Sequence, residues 1–330
     1  MRFDATGKVT LDHIYNGPDP RAYFRELRKL DYCVPQQAKP YFAKLIEEYR
    51  DTTQVAVPKV LDIGCSYGIN AALLKYDVTM DALYARYCDE HLAGGGPRTG
   101  AGTEPGKGSG TGTAEGARAE EAPEALLARD RKLARSHRPA RPLRFVGLDT
   151  SGSALAYALE AGFLDDVVHA DLERNEPSAR QRAQFAGTDL VISTGCIGYV
   201  TERTLTRIVR SMGGHRPWMA HFVLRMFPFG PVERALEELG YSSVCAGDVF
   251  RQRRFASPQE QTQVLETMKE AGVDPEGLEA DGWLHARLYL SRPSDTSGWP
   301  WSRERLARES AAAPGAGNAA VAPPTVNEPK

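Results

Sequence analysis

The sequence predicts an α/β protein in which a largely parallel sheet is covered by helices. Three observations point there. Strand and helix signals alternate along most of the 330 residues, the order that yields parallel strands with helical crossovers. An apolar strand at Lys59–Ile63 passes through a turn carrying Gly64 and Gly68 into a helix. Later strands end in acidic or hydroxyl residues, and in an open sheet those ends converge on one crevice. With 42% hydrophobic residues, the chain can bury one large core.

The elements follow in order. Asp19 and Pro20 open a helix through Leu30, and Pro40 opens a second through Tyr49. Residues 1–57 are thus expected to form a helical cover, with Tyr15 and Tyr23 either closing on a ligand or packing as core. Strand one, 59–63, leads to a helix at about 67–76. An insertion at about 77–141 follows, in which 80–89 and 125–135 read as two short helices. Between them, 94–124 is mostly Gly, Thr, Ala, Pro and Glu. A segment that buries so little cannot offset its ordering entropy, and it is expected to be a disordered loop.

Strand two is 143–149, and Ser151 with Ser153 begins the helix 154–161. Strand three is 166–171. Strand four is 188–193, with Thr201 opening the helix after it. Strand five is 218–224, followed by a helix at 231–239. Two further strands, near 242–254 and 283–290, flank a helix at 258–271. The main domain is expected to span 58–310, and the Ala-, Gly- and Pro-rich tail 311–330 to be disordered.

Composition narrows the function. Lys+Arg 41 against Asp+Glu 43 gives a net charge of −2, so no overall field draws the chain to nucleic acid or a membrane surface. No apolar run reaches the roughly 18 residues needed to span a bilayer, and no signal core opens the sequence. The five cysteines are odd in number and dispersed, without a Cys-x-x-Cys pair. That pattern argues against a disulfide framework or a metal site. A cytoplasmic protein without nucleic-acid or membrane partners, as monomer or homodimer, fits best.

The turn after strand one carries the chemistry. Small residues let a ligand approach backbone N–H groups at a helix start. Asp62 at the strand tip would repel a pyrophosphate, but suits a ligand bearing an ammonium and a sulfonium. The segment Asp62-Ile-Gly-Cys-Ser-Tyr-Gly68 resembles the first motif, Asp-x-Gly-x-Gly-x-Gly, of class I S-adenosylmethionine-dependent methyltransferases, with Ser66 in place of the middle glycine. The resemblance implies a Rossmann-like seven-stranded sheet whose last strand is antiparallel, S-adenosyl-L-methionine as cofactor and a small-molecule acceptor.

It further implies a cofactor set of Asp62, Gly64, Cys65, Ser66 and Gly68 at the loop. Asp149 and Thr150 would serve the ribose, Asp171 and Leu172 the adenine, and Ser193 and Thr194 the methionine portion. Two alternatives stay open: Asp149 as the N-cap of the next helix, and Asp171 as a solvent-facing turn residue. Asp62 and Asp149 also lie much farther apart than the roughly 20 residues usual in a nucleotide-binding unit, which the insertion accounts for.

For the acceptor side the polar candidates are Tyr199, His221 and Arg225. His221, within an apolar strand, reads equally as a core residue, and Arg225 as half of a structural ion pair. Cys65 and Cys196 fall in the crevice with no partner to lower a thiol pKa, so neither is assigned as a nucleophile. Two rival functions stand beside methyl transfer. One is a catalytically silent protein that keeps the fold and binds the cofactor or a partner. The other is an NAD-dependent oxidoreductase, whose Gly-x-Gly-x-x-Gly register the turn lacks.

Overall fold

The computed structural model describes residues 3–4, 6–88, 121–136 and 141–296. Most of the biased segment, 94–120, and the tail at 311–330 lie outside the described residues. Seven strands form one sheet: β1 Lys59–Ile63, β2 Arg144–Asp149, β3 Asp166–His169, β4 Leu190–Thr194, β5 Trp218–Leu224, β6 Tyr241–Arg254 and β7 Trp283–Pro293. Their order is β3-β2-β1-β4-β5-β7-β6. Strands β1 to β5 pair in parallel, and β7 runs antiparallel to both β5 and β6. This is the Rossmann-like sheet expected from the resemblance, with its single antiparallel strand. All seven residues of β5 are buried, as in a strand covered on both faces. The order reverses between β1 and β4, and such a switch point opens a crevice beyond the carboxyl ends of the strands.

Three helices precede β1: α1 Asp12–Tyr15, α2 Arg21–Lys29 and α3 Val34–Thr53. Helix α3 starts six residues before Pro40, which the sequence placed at its beginning. Pro35 occupies the first turn, where a missing N–H goes unnoticed. Pro40, inside the helix, costs on the order of 3 kcal/mol. Phe42, Leu45, Ile46 and Tyr49 of α3 pack against Val60, Leu190, Trp218 and Phe222 of the sheet. At about 1.5–3 kcal/mol per buried side chain, that packing outweighs the proline. Helix α3 therefore covers a sheet face and lends the crevice Pro35 from its first turn, while α1, α2 and the residues before them line more of it.

Helix α4, Ile69–Lys75, follows the turn after β1, and the insertion holds α5 Met80–Cys88 and α6 Pro123–Ser136. Helix α6 begins with Pro123, inside the last residues of the biased segment, at the position where proline suits a helix. Then come α7 Gly152–Ala161, α8 Ala179–Phe185, α9 Glu202–Arg210, α10 Gly230–Glu238 and α11 Pro258–Glu270. Leu205, Ile208, Val232, Leu236, Val264 and Met268, from α9, α10 and α11, fill the opposite sheet face. A third cluster joins Phe24 and Leu27 of α2 to Leu73, Leu83, Tyr87 and Leu126. Buried Asp130 of α6 accepts from Arg86 Nε (2.5 Å), Tyr87 Oη (2.7 Å) and Tyr157 Oη (2.5 Å). A carboxylate so satisfied fastens the insertion to α7.

Candidate cofactor and substrate site

The turn after β1 depends on left-handed backbone. Gly64, Ser66 and Gly68 have φ of 67°, 48° and 74°. Ser66 thus adopts the conformation of the glycine it replaces, at roughly 1–2 kcal/mol for an L-residue. The turn is held in place by neighbours. Gly64 N–H donates to the Leu148 carbonyl (2.8 Å), and Ser66 N–H donates to Asp149 Oδ2 (2.8 Å). A Cβ on Gly64 would stand 2.8 Å from Cys196 Cβ, so the turns after β1 and β4 nearly touch.

Asp149 has a different role from capping. Its Oδ1 accepts the Ser151 N–H (2.9 Å), while Ser151 Oγ accepts from Ala154 N–H and is itself the N-cap of α7. The carboxylate joins the turns after β1 and β2, and its further lone pairs stay available where Asp149 lines the crevice. The long sequence separation from Asp62 is bridged because β1 and β2 are adjacent in the sheet.

Asp62 is fully buried behind this surface. Asn70 Nδ2 donates to both of its oxygens, at 3.1 and 3.2 Å, and lies 3.3 Å from Thr194 Oγ1. Burial pushes the Asp62 carboxyl up to about 8, the Asn70 bonds opposing and the charge of Asp149 adding. Asn70 is the group that meets the crevice. Its Oδ1 and the Ser66 Oγ are both buried without a hydrogen-bond partner. Such groups are costly unless something binds them.

The crevice has two lobes. The larger, about 660 Å³, runs from the β1 turn and the β4 end to Lys8, Tyr15, Tyr23 and Tyr32. The smaller, about 390 Å³, reaches Asp171 and Leu172 beyond β3. Gly64, Asp149, Thr150, Cys196 and Tyr199 line both. Of the residues expected from the sequence, Gly64, Cys65, Ser66, Asp149, Thr150 and Thr194 line the larger lobe, and Asp171 and Leu172 the smaller. Asp171 Oδ1 accepts from the N–H groups of Glu173 and Arg174, so it also organises its turn. Gly68 sits at the start of α4, and Asp62 and Ser193 lie behind the surface. Burial raises the Cys65 thiol well above its usual range and pushes Cys196 up to about 12, in keeping with neither being a nucleophile.

The three acceptor-side candidates separate. Tyr199 lines both lobes and donates to Asp4 Oδ2 (2.7 Å). His221 lies in the core, its Nδ1 2.8 Å from Ser193 Oγ, and burial depresses its pKa to about 3. Arg225 forms a buried ion pair with Glu279 and donates to the Asp274 carbonyl. Neither His221 nor Arg225 is among the crevice-lining residues. The structure brings in others that sequence reasoning missed: Asp4, Lys8, Asn70, Gln252 and Arg253. Only Asn70 left a signal, a polar residue between Ile69 and Ala71 in a helix start that is buried throughout.

Among the described residues, no cluster of three or more His, Cys, Asp or Glu is arranged to hold a metal ion, and no helix is long and apolar enough to cross a membrane. No protein-family model matches the chain, and no curated protein is matched. Solved structures give broader likenesses. One is a TehB-like SAM-dependent methyltransferase from Corynebacterium glutamicum, at 13% identity over 73% of this chain and 84% of that one, with a TM-score of 0.33. A putative sarcosine dimethylglycine methyltransferase from Galdieria sulphuraria gives 13% identity over 78% and 88%, with a TM-score of 0.37. The [4+2]-cyclase SpnF gives 12% over 76% and 80%, with a TM-score of 0.34. At these values the likeness bears on neither activity nor substrate.

Proposed function

We propose that the protein transfers a methyl group from S-adenosylmethionine to an oxygen or nitrogen of a small-molecule acceptor in the cytoplasm. The observation that carries this reading is the pair of unpartnered buried groups, Ser66 Oγ and Asn70 Oδ1, set at the switch-point crevice beside Asp149. They fit the cofactor's chemistry. Asn70 Oδ1, backed by the Asp62 carboxyl, suits an ammonium. Asp149 suits a ribose diol, and the small lobe by Asp171 and Leu172 an adenine. When bound, the cofactor supplies an electrophilic methyl on a sulfonium that leaves as a neutral thioether. The chain's own part is to orient donor and acceptor, which by itself accounts for most of the acceleration in a displacement of this kind. A dinucleotide suits the site less, because Asp149 and the Asp62–Asn70 pair present acceptors where a pyrophosphate needs donors.

The test is incubation with S-adenosylmethionine labelled in its methyl group and a metabolite extract, followed by identification of the labelled product. Label in a small molecule supports the reading. Tight binding of S-adenosylmethionine with no labelled product supports the silent alternative, and binding of NAD in its place overturns both.

A further inference from the structure

One part of the large lobe is built by the N-terminal segment and the β6 bulge near Gln252. Two cations line it, Lys8 and Arg253. Arg253 is used up: its Nη1 and Nη2 grip Glu260 at 2.9 and 2.6 Å, deep in the protein. Lys8 is not. Its Nζ lies 5.0 Å over the Tyr199 ring, and among the described residues it has no carboxylate within ion-pair distance. The nearest acids are committed elsewhere. Asp4 accepts from Thr6, the Lys8 backbone and Tyr199, and Glu260 accepts from Arg253, Val9 and Ala256. The groups facing the ammonium are therefore Asp4, Tyr199, Arg253, Glu260 and Cys196. Burial and the charge of Arg253 lower Lys8 to about 8, against the pull of Glu260 and Asp4. An ammonium in that state gains from a counterion.

Gln252 adds a second polar group to this lobe. Gln252 is 4% exposed, and its Oε1 is buried without a partner. Its amide lies beside the β4 end, 2.6 Å from where a Cβ on Gly195 would stand. The same lobe is lined by Leu11, Tyr23, Leu27, Tyr32 and Pro35, aliphatic and aromatic side chains, with the Tyr23 and Tyr32 rings set edge to face.

We infer that the acceptor is a small aromatic organic acid, its carboxylate paired with Lys8 Nζ and its proton-bearing nucleophile donating to Gln252 Oε1. This rests on the methyl-transfer reading and names the substrate class for it. Lys8 is then an anchor for substrate and not a base.

The test uses the full chain saturated with S-adenosylhomocysteine. Benzoate, phenylacetate and 4-hydroxybenzoate, each beside its neutral amide, are titrated calorimetrically. The carboxylates are expected to bind about tenfold or more tighter than their amides, the range of one charge-assisted contact. Lys8→Met should erase that preference and Lys8→Arg should keep most of it. The preference should also fade as pH rises above about 8, where the ammonium discharges. S-adenosylhomocysteine affinity should be the same in all three proteins, which also certifies their folding. Carboxylates that bind no better than amides, or a preference that survives in Lys8→Met, would overturn the inference. Failure of the parent protein to bind S-adenosylhomocysteine would instead sink the underlying reading.

Discussion

Asp149 Oδ2 accepts the backbone N–H of Ser66 at 2.8 Å, so the tip of β2 sets the conformation of the turn that follows β1. Because Oδ1 of the same side chain takes the Ser151 N–H, one carboxylate shapes two of the loops that border the crevice. The residue proposed to face the ribose and the support of the glycine turn are thus one and the same.

Replacing Asp149 by asparagine is therefore not conservative. An amide has one acceptor oxygen, so its NH2 must confront either the Ser66 or the Ser151 N–H. Asp149→Asn is expected to lower stability by about 1–3 kcal/mol and to weaken S-adenosylmethionine as well. Urea unfolding of the ligand-free variant checks the first part, and an unchanged midpoint would contradict it.

Binding of S-adenosylmethionine should release a proton. With its pKa near 8, the Asp62 carboxyl is largely protonated at pH 7 in the free protein. A cationic ligand favours the ionised form, so affinity should rise with pH from about 6 toward 8. Calorimetry at pH 7 in phosphate and in Tris reads the proton from the difference in heats. Equal heats in the two buffers would refute the coupling, and Asp62→Asn should abolish the difference.

His221 is expected to matter for acid tolerance and not for chemistry. Its folded pKa of about 3 lies below the ordinary 6.5. Between those values the unfolded chain holds a proton that the folded one does not. The contribution is thus fully present above pH 6.5 and lost as pH falls toward 3. His221→Gln should lose less thermal stability than the parent between pH 7 and 5, with cofactor affinity unchanged. A parallel pair of melting curves across that range would count against this account.

Glu260 should be among the most sensitive residues outside the glycine turn. It is fully buried, and its removal strands Arg253 together with the N–H groups of Val9 and Ala256. Breaking a buried pair from one side typically costs about 3–5 kcal/mol. Glu260→Ala should accordingly reduce the denaturation free energy by that order, measured by chemical unfolding.

The sheet and the glycine turn were readable in the sequence because both are local. Strands β1 and β5 have the bounds their apolar runs imply, and Ser151 and Thr201 open α7 and α9 as capping residues. The start of α3 misled because two prolines compete for it, and the winner was decided by what Phe42 and Leu45 bury across the chain. His221 and Arg225 sit in strand-like sequence that gives no sign of which face is buried when both are. The placing of Lys8 and Gln252 was not legible at all. They come to line one lobe through a hairpin-like bridge between Phe3 and Val9 and a register shift in β6, neither of which has a signature in one sequence.

The bond from Val9 N–H to Glu260 Oε1 joins residues 251 positions apart. During synthesis the glycine turn, Asp149 and the β4 end all leave the ribosome before Glu260 does. A growing chain can thus form the turn after β1 with its Asp149 support first, and Tyr199 can already meet Asp4, while Val9 has no acceptor on α11 until that helix has emerged. The segment bearing Lys8 is fastened late, and a nascent polypeptide arrested before α11 would carry the glycine turn without the Val9–Glu260 clasp.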